Sequence, residues 1–302
     1  MSATGPRVSF TVRFDHKVKV WVLLHGGWLP LQFAAVDVLV IDRNIVSALR
    51  ALQRQPTRPD LVADSWWLQH LDKPSPALNP VLCAMEGRWR SAPTFNQFCD
   101  ELEEACTFLE SVLPKACVLR QKPEHLQNVF EVFTSQLPRL HKETEFLLAV
   151  CPLISSRVPA GKERPVEQAI LEAADSRGLS RQAICCIAAL STLYERVDGD
   201  EPRIGRGVLK PTLSYTDEDA FNAIADLRAL EFLAAGCALN GFSSGICTRD
   251  KYLAALWVKL GVHSSSWENN SFTATYTPSA DLFPRLGEEE FTNLFARVKS
   301  DA

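Results

Sequence analysis

Two short apolar runs, each closing on an aspartate where a helical pattern begins, constrain this chain most. VDVLVI (36–41) is apolar almost throughout and ends in Asp42-Arg43-Asn44; GICT (245–248) ends in Arg249-Asp250, ahead of KYLAALWVKL. Runs of four to six apolar residues without polar alternation suit strands covered on both faces, as in a parallel sheet flanked by helices. The order strand, helices, strand, helix then predicts an α/β fold with a central parallel sheet.

Around these runs the chain divides into four segments. Residues 1–35 form a strand-rich N-terminal segment, in which VSFTVRF and KVKVWVLL flank Asp15-His16 as a β-hairpin. Residues 36–95 hold the first strand and the helical patterns IVSALRALQRQ and VLCAMEGRW, the latter entered through Pro80. Residues 96–214 carry almost only helix signals and form a helical insertion that ends in a Gly-, Pro- and Arg-rich loop (198–213). Residues 215–302 return to the sheet through a helix opened by Thr216 and its following acidic residues, then GICT, the helix after it, the strand SFTATYT and a last amphipathic helix.

Composition bounds the function without choosing it. Of 302 residues, 46% are hydrophobic and 23% charged, as in ordinary globular domains. The formal charge of -4 argues against coating nucleic acid by bulk electrostatics and leaves room for a local basic patch. Nine cysteines, mostly in apolar helical stretches and without C-x-x-C spacing, read as reduced core residues in a cytoplasmic protein, and no zinc pattern stands out. Neither a signal peptide nor an apolar run of about 18 residues is present, so no membrane role is expected.

Four carboxylates stand where function collects in an open α/β sheet, outside the carboxyl ends of strands or on helices that face them. Asp42 and Asp250 each follow an apolar strand. Glu86 lies among Leu82, Cys83, Met85 and Trp89, and Asp226 beside the stripe of Ala223, Ile224, Leu227 and Leu230, one turn after Asn222. Carboxylates that converge repel one another unless a divalent cation offsets the charge. Mg2+ or Mn2+ is the natural match for oxygen ligands, and such a site activates water for attack on a phosphodiester.

With VIDRN, AMEGRW, NAIADLRAL and CTRD in this order, the chain resembles the PIN-like nuclease superfamily over roughly residues 36–95 and 215–262. The resemblance implies a PIN-like central parallel sheet flanked by helices. It implies catalytic and metal-binding roles for Asp42, Glu86, Asp226 and Asp250, with Asn44 and Thr248 as supporting polar residues beside Asn222. It further implies a metal-dependent endonuclease, RNA favoured over DNA as substrate, a toxin or defence effector as its setting, and an inhibitory or regulatory protein partner. The chain is longer than a compact PIN toxin, and its middle helices separate Glu86 widely from Asp226. A second reading is a non-catalytic PIN-like scaffold that binds a protein partner through those helices.

Plainer roles stand beside these. Asp42 and Asp250 also suit helix N-caps, and Glu86 and Asp226 could pair with Arg88 or Arg90 and with Arg228 as solvated charges. GFSSG (241–245) matches the spacing of a nucleophile elbow but has a helix before it and a strand after it, the reverse of what an elbow needs. PAGKERP lacks the rest of a phosphate-binding loop. The arginines at 157, 164, 177, 181, 203 and 206, with Lys210, read as a solvated face or a wall for a phosphate backbone. Trp66 and Trp67 read as core.

Overall fold

The computed structural model describes residues 18–59, 64–87, 91–196, 203–237, 243–268 and 271–300. The expected hairpin turn at Asp15-His16 lies outside the described residues. Five strands form the central sheet: β1 Trp21–Leu24, β2 Gly27–Pro30, β3 Val38–Ile41, β4 Ala77–Asn79 and β5 Ser244–Thr248, in the order β2-β1-β5-β3-β4. A two-stranded antiparallel unit, β6 Val262–Glu268 and β7 Ser271–Tyr276, follows.

The fold is α/β as expected, and the central sheet is parallel in part and mixed as a whole. β3 runs parallel to both β4 and β5, while β1 is antiparallel to β5 and to β2. The physical reason is the β1–β2 hairpin, which turns at His25-Gly26, with Gly26 at φ 79, so β2 must return beside β1. Thus the N-terminal strands belong to the same sheet as the runs around 36–41 and 245–248. Gly245 lets β1 approach β5: a Cβ there would lie 2.7 Å from Val22 Cγ1.

The helices of the described residues are α1 Arg43–Arg54, α2 Leu68–Leu71, α3 Val81–Glu86, α4 Phe95–Val112, α5 Pro123–Ser135, α6 Leu137–Val150, α7 Glu163–Asp175, α8 Ile184–Leu193, α9 Ile204–Leu209, α10 Asp217–Cys237, α11 Lys251–Leu260 and α12 Glu288–Lys299. Within the helical middle segment the chain divides at SQLPRL into α5 and α6, with Pro138 in the first turn of α6, where its missing N–H is tolerated. The loop expected over 198–213 contains α9. Its glycines permit close helix packing, since a Cβ on Gly205 would lie 2.3 Å from the Ala188 carbonyl oxygen.

Alternation along the strands sends neighbouring side chains into two cores. Val22, Leu39, Ile41 and Cys247 join Ile45, Val46, Leu49 and Trp67 on one side. Leu23, Val40 and Ile246 join the larger core on the other, built from α10, α11 and the middle helices. α4 reaches both, through Leu109 in the first and Phe98 in the second. The middle helices are therefore continuous with the sheet's packing. Trp67 is 1% exposed, but Trp66 is 39% exposed and stands edge-on to His70, because the two are consecutive on a 3-10 turn and face different ways.

Candidate active site at the carboxyl edge of the sheet

Parallel pairing of β3 with β5 brings Ile41 opposite Cys247, so the residues just beyond them meet. The Asp42 amide donates to the Cys247 carbonyl at 3.1 Å, and Thr248 Oγ1 donates to Asp42 Oδ2 at 2.5 Å. Asn44 stitches the two strand ends together. Its Nδ2 donates to Asp42 Oδ2 (2.6 Å) and Thr248 Oγ1 (2.9 Å), and its Oδ1 accepts from the Arg249 amide (2.9 Å). The Asp250 amide in turn donates to Thr248 Oγ1 at 3.0 Å. Thr248 is fully buried and Asp42 is 4% exposed.

Both aspartates are helix caps as well. Asp42 Oδ1 accepts from the Asn44 amide at 3.3 Å, at the start of α1; Asp250 Oδ1 accepts from the Tyr252 and Leu253 amides at 2.7 and 3.0 Å, at the start of α11. Each cap uses one carboxylate oxygen, and the oriented amides there favour negative charge.

Glu86 ends α3, which is fixed over the tip of β3: Cys83 Sγ donates to the Ile41 carbonyl at 3.8 Å, and Arg43 Nη1 donates to the Gly87 carbonyl. Asp226 lies on α10, which packs on β5 and α3. Among the described residues, neither Glu86 nor Asp226 has a hydrogen bond, and none of the four carboxylates is in an ion pair. Arg88 and Arg90, the suggested partners of Glu86, lie outside the described residues. Arg228 makes no ion pair with Asp226; its guanidinium lies 4.4 Å from the centre of the Phe133 ring.

The electrostatics tie the four together. Burial, and then the charge of Asp250, push the Asp42 carboxyl up to about 6 against the pull of the Thr248 and Asn44 hydrogen bonds. Burial and then Asp42 push Glu86 up to about 8, with Arg43 opposing. Asp226 is raised well above the usual carboxylate range by burial, then by Asp42, Asp250 and Glu86, with Lys210 opposing. Among the described residues, however, no three His, Cys, Asp or Glu side chains form a ready-made metal-binding group.

Asn222 is exposed and outside the Asp42–Thr248–Asn44 network. Arg43, whose charge acts on Glu86, was signalled in the sequence only by its place beside Asp42, and Lys210, read there as part of a solvated face or phosphate wall, acts instead on Asp226. Arg164, Arg181 and Arg206 are engaged with Glu167, Asp175 and Glu195, which favours the structural reading of those arginines. Ser244 opens β5 and α10 precedes it, so a nucleophile elbow is absent there. Of the cysteines with described side chains, Cys117 is exposed and Cys99 half-buried, while Cys83, Cys106, Cys151, Cys185, Cys186 and Cys247 are buried. No helix among the described residues is long and apolar enough to cross a membrane. No protein-family model matches the chain, and neither a curated protein nor a solved structure is significantly similar to it.

Proposed function

We propose that the chain is a metal-dependent PIN-like nuclease, acting on RNA in preference to DNA, with Asp42, Glu86, Asp226 and Asp250 as its metal-binding carboxylates. The observation that carries this reading is the meeting of Asp42 and Asp250 at the ends of β3 and β5, where Asp42, Glu86 and Asp226 are each raised by burial and by neighbouring carboxylates, only partly opposed by Arg43 and Lys210 and with no ion pair among the described residues. The donor set fits Mg2+ or Mn2+: oxygen ligands only, in excess negative charge. When bound, such an ion supplies a water of lowered pKa and neutralises charge on the phosphodiester.

The chain's own residues prepare this chemistry. Thr248 and Asn44 fix the Asp42 carboxylate, and the two caps hold Asp42 and Asp250 at the ends of adjacent strands. Burial and Asp42 raise Glu86 to about 8, so it would hold a cation in competition with its own proton at neutral pH.

The test is cleavage of single-stranded and structured RNA in Mn2+, beside Asp42→Asn and Asp250→Asn. Loss of cleavage in both variants is expected; cleavage at the parental rate by either overturns the reading. A non-catalytic PIN-like scaffold is the second reading, favoured by the lack of a ready-made three-ligand group among the described residues. Calorimetry with Mn2+ separates them: a scaffold takes up no Mn2+ that depends on Asp42.

A further inference from the structure

Between α3, α6 and α10 lies an open cleft of about 210 Å3 that shares Glu86 with the acidic site. Its walls are apolar, with Leu82, Met85 and Ile224 among them, and its α10 side carries Phe221 and Arg228. These two are seven residues apart, so they lie on one helix face, separated by about 10 Å along the axis. Ala225 stands between them and leaves the floor open. Phe221 is half-buried and is not packed into either core. Arg228 has no hydrogen bond or ion pair among the described residues, and the buried Phe133 ring backs its guanidinium at 4.4 Å.

A half-buried aromatic ring, a small apolar floor and a guanidinium that feels the charges of Glu231 and Glu143 but makes no ion pair among the described residues together match one chemistry. A nucleobase offers a flat ring, and the phosphate next to it offers the anion. A cleft below the roughly 300 Å3 of usual small-molecule sites takes a single ring system rather than a stacked pair. A base inside a duplex cannot enter such a cleft without leaving its stack.

We propose that this cleft receives one unstacked nucleobase of a single-stranded nucleic acid, its ring on Phe221 and its phosphate at Arg228, beside the phosphodiester held at the acidic site. The substrate class is therefore unpaired nucleic acid. This rests on the nuclease reading for its position, but its test does not require cleavage.

The full chain in Mn2+ is titrated into a fluorescent, nuclease-resistant 2′-O-methyl RNA, its deoxyribose counterpart, and a series in which each base in turn is replaced by an abasic site. One abasic position should weaken binding by about 5- to 150-fold, the scale of base–aromatic stacking. Phe221→Ala should lose the same factor on the intact strand and show no added loss at that position. Phe221→Leu, which keeps an apolar side chain in place, should behave likewise. Arg228→Gln should flatten the dependence of log affinity on log salt by about 0.7. Additive losses at every abasic position, or parental affinity in both Phe221 variants, overturn the proposal. If Asp42→Asn abolishes cleavage while the Phe221 variants cleave and bind as the parent does, the cleft proposal fails and the nuclease reading stands. Coupled losses in binding without cleavage by the parent sink the nuclease reading and uphold the cleft. Equal affinity of the 2′-O-methyl and deoxyribose probes supports recognition of the base rather than the sugar.

Discussion

Asp42→Asn is the most informative single change, because it keeps the shape of a buried side chain and removes its charge. Without a divalent cation, an acid whose folded pKa of about 6 lies above its ordinary value of 3.8 is a burden that grows as pH rises. The sign follows from proton counts: between these two values the folded chain binds more protons than the unfolded one, so stability falls with increasing pH. For Asp42 alone the loss integrates to roughly 1.6 kcal/mol at pH 5 and roughly 3 kcal/mol at pH 8, a drop of about 1.4 kcal/mol across the interval. The variant has no such term, and it also relieves Glu86, whose proton affinity Asp42 raises. Against this, the asparagine amide of the variant cannot accept all the bonds made by Asp42, and lost charge-assisted hydrogen bonds cost about 1.5–3 kcal/mol each at both pH values. The expected result is two stability curves that approach each other as pH rises. Urea unfolding in EDTA at pH 5, 6, 7 and 8 measures this. Parallel curves would refute the reasoning, since they would mean that Asp42 carries no raised pKa. Adding Mn2+ to the parent at pH 8 should reverse its decline, by about 2.7 kcal/mol at one hundred times the dissociation constant, and should leave Asp42→Asn much less changed.

Other consequences are checked by the same methods. Thr248→Val removes the donor to Asp42 and strands the Asp250 amide, so it should cost at least about 2 kcal/mol in urea and move Mn2+ stabilisation to higher pH. Gly205→Ala should destabilise by about 1–3 kcal/mol or more, because its Cβ meets a backbone oxygen that cannot rotate away. Arg139→Met leaves Glu143, raised to about 7 by burial, without its cation; the loss should be about 3–5 kcal/mol at pH 8 and smaller at pH 6, where Glu143 takes up a proton. Trp257→Phe breaks the 2.6 Å bond from its indole to the Leu24 carbonyl and should cost about 1–3 kcal/mol.

The strands that position the candidate site were legible because burial on both faces leaves a plain mark. VLVI and GICT have no polar alternation, and both aspartates stand at the strand-to-helix junctions that the sequence indicates. β4 was not legible: three residues, Ala-Leu-Asn, carry no period, and their pairing with β3 comes from the sheet edge. Nor was the direction of β1, since an alternating run reads the same in either orientation. α9 was hidden by its own glycines, which lower helix propensity and are tolerated because they bring α8 and Tyr252 close. Arg228 looked like a solvated charge because it stands near Asp226 in sequence, although two residues apart they face different ways on the helix; only the packing of α6 against α10 shows that it lines a cleft.

Hydrogen bonding sets an order among Asp42, Glu86 and Asp226. Backbone and side-chain donors pull Asp42 down to about 6 against burial, whereas Glu86, which has no such donor, stays at about 8, and Asp226 lies well above the usual range. Asp42 therefore loses its proton before the two helix carboxylates, and under the proposed function a cation offered at neutral pH would meet an ionised Asp42 while Glu86 still holds a proton. The contribution of Glu86 to cation affinity must then grow with pH. Calorimetry with Mn2+ should find Glu86→Gln almost neutral at pH 6 and costly at pH 9, by roughly tenfold or more in affinity, while Asp42→Asn is costly at both. An equal loss for Glu86→Gln at the two pH values would show that the carboxylates do not ionise in this order, and that the hydrogen bonds do not set their sequence of engagement.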